Sequence, residues 1–317
     1  MNSANAAVKG ERAMYPAINS FVSFVASRVS AHLSEPGLAR SIQPFERTDV
    51  VPEGADDKLR IDHMLTGCPR DGPIVDPDYA EALCLIEAKF DPKDQKQAYL
   101  QVVMYSRNIY SRQPHRRFLW GLTVCGTRVR ACLLGHDKIH VSTYVDVFTP
   151  AGRTQFATLL VNWSLCESAR LGYDPTMRPS DTDDGWAMDV FGDGMKRTYS
   201  NLRLKFKASS LLGRHTRCFV GTAKVDGASK EFLIKDCWPH VVEDGTDGKR
   251  DEITFLREIR DKLRGDSDLD GKYPVLEIGG VVRIAGIGDA TLEDTTATVV
   301  AGLDGTAGMP RRAHTRI

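Results

Sequence analysis

Ile18, Phe21, Val22, Val25 and Val29 recur at spacings of three and four, which puts them on one face of a helix over 18–29. Two apolar runs follow, at 59–65 and 82–90, separated by a loop rich in Pro, Gly and Asp between 67 and 78. Both read as strands. The second is almost continuously apolar, the pattern of a central strand buried on both faces. After Asp91-Pro92, the stretch 94–111 carries helical spacing in Ala98, Val102, Tyr105 and Ile109, and Pro114 closes it. The runs 118–125 and 128–134, joined by Gly126-Thr127, predict a hairpin. A further strand at 138–146 and a helix at 153–171, ending at Gly172, complete an order characteristic of an α/β domain.

The pattern changes after Gly172. Pro175, Pro179, Gly185 and Gly192 mix with Asp181, Asp183, Asp184, Asp189 and Asp193. This acidic, turn-rich composition predicts a first domain over 1–175, a linker over 176–200 and a second domain over 201–317. Three strands, at 202–212, 218–225 and 231–235, lie close together there, the last two joined by a short turn at 226–229; an antiparallel meander is the simplest arrangement. A charged helix at 249–263 follows, then strand-like pieces around 275–284 and 297–300.

Composition narrows the partners. The 317 residues suffice for two domains. Lysine plus arginine equals aspartate plus glutamate at 42 each, so no overall field attracts nucleic acid or anionic lipid, and any polyanion site must be local. One local candidate is Arg107, Arg112, Arg116, Arg117, Arg128 and Arg130 with His115, a stretch without a single acid. It reads either as a nucleic-acid-facing patch or as a solvated helix end and hairpin face. No apolar run approaches the roughly 20 residues that span a bilayer, and the N-terminus lacks a secretory apolar core. The expectation is an intracellular protein, cytoplasmic or nuclear, without membrane association. Seven cysteines, odd in number and never spaced as CxxC, predict reduced thiols.

Candidate chemistry begins in the central strand. Glu87 and Lys89 interrupt it at i and i+2 and therefore share a face. Burying either charge unpaired is costly, so each needs the other, solvent or an ion. Asp62 interrupts the preceding apolar run, and two carboxylates aimed at one spot are relieved by a hard cation such as Mg²⁺. Asp62 and Glu87 are thus candidate metal ligands, with Lys89 beside the attacking water; the plain alternative is a structural ion pair of Lys89 with Glu87 or Asp62. Asp62, then Glu87-x-Lys89, then Gln101 and Tyr105 four apart on the next helix, resembles the PD-(D/E)xK nuclease superfamily. Ile61 stands where that superfamily often has proline, and Glu11 is the nearest acid on the first helix. The resemblance implies a restriction-endonuclease-like α/β fold and Mg²⁺-dependent phosphodiester hydrolysis, with Gln101 and Tyr105 added to the catalytic set.

The second domain carries a different constellation. A strand, the turn at Gly213 and another strand precede a strand ending in Lys235, and the next helix offers Glu252 or Glu258. In a kinase first lobe a glycine turn covers the phosphates, and a third-strand lysine, paired to a helix carboxylate, contacts the α and β phosphates. Gly213-Arg214-x-Thr216-Arg217, Ile234-Lys235-Asp236-x-Trp238 and Arg250-x-Glu252 together resemble the fungal-type protein kinase family. So do Gln113-Pro114-x-Arg116-Arg117-Phe118, 171–176 and 312–316. The resemblance runs from about residue 11 to the end. It implies an α+β kinase-like first lobe binding ATP through Gly213, Lys235 and Glu252. No His-Arg-Asp and no Asp-Phe-Gly follows Lys235, so the expectation is a chain that stops before the second lobe and does not transfer phosphate. A non-catalytic interaction module is the third reading.

Overall fold

The near-continuous apolar run at 82–90 becomes the centre of the first sheet. A computed structural model describes residues 3–32, 42–45, 63–66, 78–136, 138–180, 185–239, 252–264, 266, 268, 278–285, 291–293 and 315–317. The chain divides into two compact units, Met1–Asp174 and Pro175–Ile317. In the first, the order is α1 (Ser3–His32), β1 (Gln43–Phe45), β2 (His63–Thr66), β3 (Ala82–Lys89), α2 (Gln95–Arg112), β4 (Phe118–Cys125), β5 (Arg128–Gly135), β6 (Ile139–Val141), β7 (Val145–Asp146) and α3 (Pro150–Leu165).

The strands β1 to β6 lie side by side in sequence order, and β7 also pairs with β5. The first three are antiparallel neighbours, whereas β4 runs parallel to β3. Parallel neighbours need a long crossover, which α2 supplies. All eight residues of β3 are buried. Its Cys84, Ile86 and Ala88 share a core with Tyr15, Ile18, Val22 and Val25 of α1 and Phe156, Leu160 and Trp163 of α3. Phe21 stacks on Phe156, ring centroids 5.2 Å apart. At Gly121 an added Cβ would lie 2.5 Å from Val102 Cγ1, so glycine in β4 lets α2 approach the sheet.

Three expectations shift at their edges. The helix expected over 18–29 starts at Ser3 and continues through Pro16; the apolar period marked only its buried stretch. The strand expected at 138–146 is two short ones, because Ser142 breaks the run and its Oγ accepts the Ala131 N–H at 3.1 Å. The helix expected at 153–171 begins at Pro150, where Thr149 Oγ1 accepts the Gly152 N–H at 3.0 Å, and stops at Leu165. A separate 3₁₀ turn, Ser168–Leu171, then ends on Gly172 in the left-handed region, φ 97°.

The largest correction concerns 176–200. This stretch is no linker: it holds β8 (Met177–Pro179), β9 (Trp186–Gly192) and the start of β10 (Met195–Lys207). Its described acids, Asp189 and Asp193, are both engaged by partners. Asp189 accepts from Arg178 at 3.0 Å and Thr198 at 2.7 Å, with Lys196 at 2.8 Å, while Ala187, Met188 and Val190 are buried. Composition concealed a strand.

The second unit continues with β11 (Arg217–Val225), β12 (Ala228–Cys237), α4 (Glu252–Arg264), β13 (Gly280–Val281), β14 (Arg283–Ala285), β15 (Thr291–Glu293) and β16 (Thr315–Arg316). The sheet order is β13-β16-β12-β11-β10-β9-β8, and β14 pairs separately with β15. The meander β10-β11-β12 is antiparallel as expected. Asp226 and Gly227, at φ 52° and 79°, form its tight turn. Met188, Val190, Tyr199, Phe219, Ala223, Ile234 and Ile278 form the core. The expected helix start at 249–251 and the strand piece at 297–300 lie outside the described residues.

Candidate functional site

Lys235 stands two residues from the end of β12, opposite Cys218 of β11, which in turn lies opposite Phe206 of β10. Ile234 is in the core, so strand alternation turns Lys235 to the other face. That face also presents Leu233, which is largely exposed, as is Phe206. Glu252 opens α4. Its Oε1 accepts from Lys235 Nζ, and its Oε2 accepts from Arg214 Nη2 at 2.6 Å. Both Lys235 and Glu252 are about 30% exposed at the side chain, wet enough to be reached by a solute. Burial tends to raise the Glu252 pKa, but Lys235 and then Arg214 outweigh it and hold the carboxyl below its ordinary value. Of the two carboxylates weighed for Lys235, it is Glu252 that makes the pair.

Gly213 sits in the turn between β10 and β11 at φ 128°, a conformation side chains rarely adopt. An added Cβ would meet only Ser210 Oγ, at 3.9 Å, so conformation rather than crowding calls for glycine. The turn is tied down twice. Ala208 N–H donates to Thr216 O at 2.8 Å, and Trp238 N–H donates to Arg214 O at 2.7 Å. Arg217 and Asp236, opposite each other on β11 and β12, form a fully buried ion pair. His215 lies buried beside them; burial first, then the Arg217 charge, push its pKa down to about 3. The glycine-turn and lysine-strand motifs therefore interlock through Arg217–Asp236 and Arg214–Trp238.

A family model described as "Fungal protein kinase" matches residues 72–267 of this chain. The chain belongs to the fungal protein kinase family. The matched region contains Gly213, Lys235 and Glu252, and it also takes in β3, α2 and the β4–β5 hairpin of the first unit. Membership supports a kinase-like function and a mixed α+β fold. No curated protein and no solved structure matches the chain.

Two of the family motifs meet inside the first unit. Arg116 is fully buried: Nε donates to Gln113 Oε1 at 2.6 Å, Nη1 to Leu171 O and Nη2 to Ala82 O at 2.8 Å, and its guanidinium lies 3.6 Å from the Tyr173 ring centroid. Arg117 Nη2 donates to Ala169 O at 2.6 Å, and Asp174 N–H to His115 O at 2.8 Å. These motifs staple 113–117 to 169–174. The expected six-arginine patch is thereby dispersed. Arg116 and Arg117 are buried, Arg112 pairs with Asp78 at 2.8 Å, and Arg130 rests 4.5 Å from the Tyr144 ring centroid. Among the described residues, only Arg107 and Arg128 of the six are exposed without such an engagement. Spacing along a chain does not reveal which guanidinia the backbone carbonyls have captured.

On β3, Glu87 and Lys89 are both buried, and Lys89 Nζ donates to Glu87 Oε1 at 2.6 Å. Gln101 Nε2 donates to Tyr105 Oη at 3.4 Å along α2. Asp62 lies outside the described residues, and nothing is described of the Glu11 side chain. Register extends Glu87 across the sheet to Thr123 and then Arg130. Among the described residues no group of three His, Cys, Asp or Glu side chains is close enough to hold a metal. Mg²⁺ at Glu87 would draw on the carboxylate that Lys89 already engages. Among the described residues no helix is long and apolar enough to cross a membrane.

The sequence reading gave no role to Arg214, Asp193, Arg257 or Arg260. Arg214 adjoins Gly213 within a family motif, and Arg257 and Arg260 stand three apart downstream of Glu252, a helical spacing that signals a shared face.

Proposed function

We propose that the second unit is the nucleotide-binding lobe of a kinase fold, with Lys235 as the ligand of the ATP α and β phosphates, Glu252 as its anchor and the Gly213 turn as the phosphate cover. The observation that carries this reading is the Lys235–Glu252 pair, made between the third strand of a meander and the helix that follows it. Glu252 fixes the ammonium in place at the strand end, where a phosphate can share it. The transfer step needs a base and Mg²⁺ carboxylates, which kinases place in His-Arg-Asp and Asp-Phe-Gly motifs; these 317 residues contain neither. We therefore assign this chain nucleotide binding without transfer. Calorimetry with ATP on wild type, Lys235→Ala and Glu252→Gln tests it. The expected affinity is roughly millimolar, equivalent to about 4 kcal/mol, and it disappears in Lys235→Ala. Binding that is indifferent to Lys235, or phosphate transfer above background, rejects the reading.

A second reading concerns the first unit. Helix α1, three antiparallel strands, helix α2 and a parallel β4 form the order expected of a restriction-endonuclease-like domain, with Glu87 and Lys89 buried on its middle strand. We propose this unit as a PD-(D/E)xK-like module, with Asp62 and Glu87 as the Mg²⁺ ligands, Lys89 beside the water, and Gln101 and Tyr105 alongside. Its test is cleavage of a short DNA duplex with Mn²⁺ or Mg²⁺, in wild type and Glu87→Ala. Metal-dependent cleavage lost in Glu87→Ala supports hydrolysis; equal metal-induced thermal shifts in both proteins leave a structural ion pair.

A further inference from the structure

Helix α4 carries Glu252 to Lys235, yet apolar packing contributes little to its position. Of its thirteen residues Ile253 alone is buried, Leu256, Ile259 and Leu263 are half-buried, and Phe255 is mostly exposed. Its anchors among the described residues are charged. Glu252 engages Lys235 and Arg214 at the first turn. Towards the middle of the helix, Arg257 Nε donates to Asp193 Oδ1 at 2.9 Å and Arg260 Nη1 to Asp193 Oδ2 at 2.8 Å, so two arginines three apart divide one carboxylate. Arg257 Nη2 also donates to Gly279 O at 2.9 Å.

Asp193 is itself placed by a tight turn. With Gly194 it forms the two-residue turn of the β9–β10 hairpin, at φ 49° and 74°, directly beside the paired residues Gly192 and Met195. The neighbouring backbone is pressed close: an added Cβ at Gly192 would lie 2.2 Å from Gly279 O. Asp193 and Gly279 therefore lie together at one closely packed corner of the sheet. At 1.5 Å of rise per residue, this corner grips α4 about 8–12 Å from Glu252. A helix held only at its first turn can swing about that point; a second grip at this separation fixes its direction.

We propose that Asp193 is a positioning residue for the Lys235–Glu252 pair, acting through Arg257 and Arg260 on the orientation of α4. The functional meaning of this role rests on the nucleotide reading of Lys235. The positioning itself does not, and the two fail separately in the experiment below.

The test follows the acylation rate of Lys235 by a small amine-reactive ester, read by peptide mass spectrometry on the full chain. Asp193→Asn is expected to raise that rate about threefold or more, and Asp193→Glu to stay near wild type. Glu252→Gln should raise it as well, and adding Asp193→Asn to Glu252→Gln should change nothing further, because the two act on one pair. Additive effects of the two substitutions, or no effect of Asp193→Asn, overturn the proposal. So does a parallel rise at Lys205, Lys224 and Lys230, which would mean that Asp193 merely holds the fold together. Repeating the series with ATP separates the two claims. Non-additive rates without ATP protection of Lys235 keep the positioning role and remove the nucleotide reading. Protection equal in wild type and Asp193→Asn, with unchanged rates, removes the positioning role alone.

Discussion

Among buried ionisable side chains, some keep a charge inside an ion pair and others stay neutral. His215 is of the second kind: burial and the Arg217 charge hold its pKa near 3, against the usual value near 6.5. Between these values the unfolded chain binds the proton and the folded one does not, so stability rises with pH across that window. Acidification from pH 6.5 towards 4 should lower the unfolding free energy of the second unit by about 1.4 kcal/mol per pH unit at most. His215→Asn should flatten that slope in urea titrations at several pH values. Glu87 and Lys89 are of the first kind, an ion pair with both side chains buried. Lys89→Met is expected to cost about 3–5 kcal/mol by stranding the carboxylate, and Glu87→Leu combined with Lys89→Met to recover most of it. Equal destabilisation by the single and double variants would mean that the pair contributes by packing alone.

Among the elements, helices and strands are held in different ways. Helix α3 relies on packing, and the turn after it on the Arg116 and Arg117 hydrogen bonds and on one glycine: at Gly172, φ 97°, an added Cβ would lie 1.9 Å from Phe118 O. Gly172→Ala should therefore destabilise the first unit by about 1–3 kcal/mol, measured by chemical denaturation, from both strain and crowding. Helix α4 relies on charge. Burial raises the Glu252 and Asp193 pKa values, but Lys235 at Glu252, and Arg260 followed by Arg257 at Asp193, hold both below normal. A depressed carboxylate contributes stability above its unfolded pKa and loses it as pH falls through the folded one. In His215→Asn, which removes the histidine slope, amide protection in α4, corrected for intrinsic exchange, should thus hold from neutral pH to about 5 and fall below about pH 4. Protection in that variant that already falls near pH 6 would contradict an anchoring role for these two carboxylates.

At the scale of the whole chain, each unit has its own core, and large-to-small changes should report on one unit at a time. Leu160→Ala and Phe219→Ala are each expected to cost about 2–5 kcal/mol. Segment-resolved hydrogen exchange should show the loss in 82–165 for the first and in 186–237 for the second. A loss spread evenly over both ranges by either variant would contradict separate cores.

The period of apolar residues determined which segments are helix and which are strand, because burial on one face is dictated locally by 3.6 or 2 residues per repeat. In this way α2, the β4–β5 hairpin and the β10–β11–β12 meander were legible, and the scattered Gly-Arg, Lys-Asp and Arg-Glu motifs disclosed the family. Glu87 with Lys89 was legible as a pair because i and i+2 on a strand share a face. Composition misled where partners were distant. The acids of 176–200 signalled a linker until Arg178, Lys196, Arg257 and Arg260 were seen to neutralise Asp189 and Asp193. The arginines of 107–130 signalled an open basic face until carbonyls 50 and more residues away were found to hold Arg116 and Arg117. The choice of Glu252 over Glu258 belongs to the same class. Which face a strand or helix buries is encoded every few residues, but which charge meets which is decided by segments brought together only by the chain's return, and only the tertiary structure contains that.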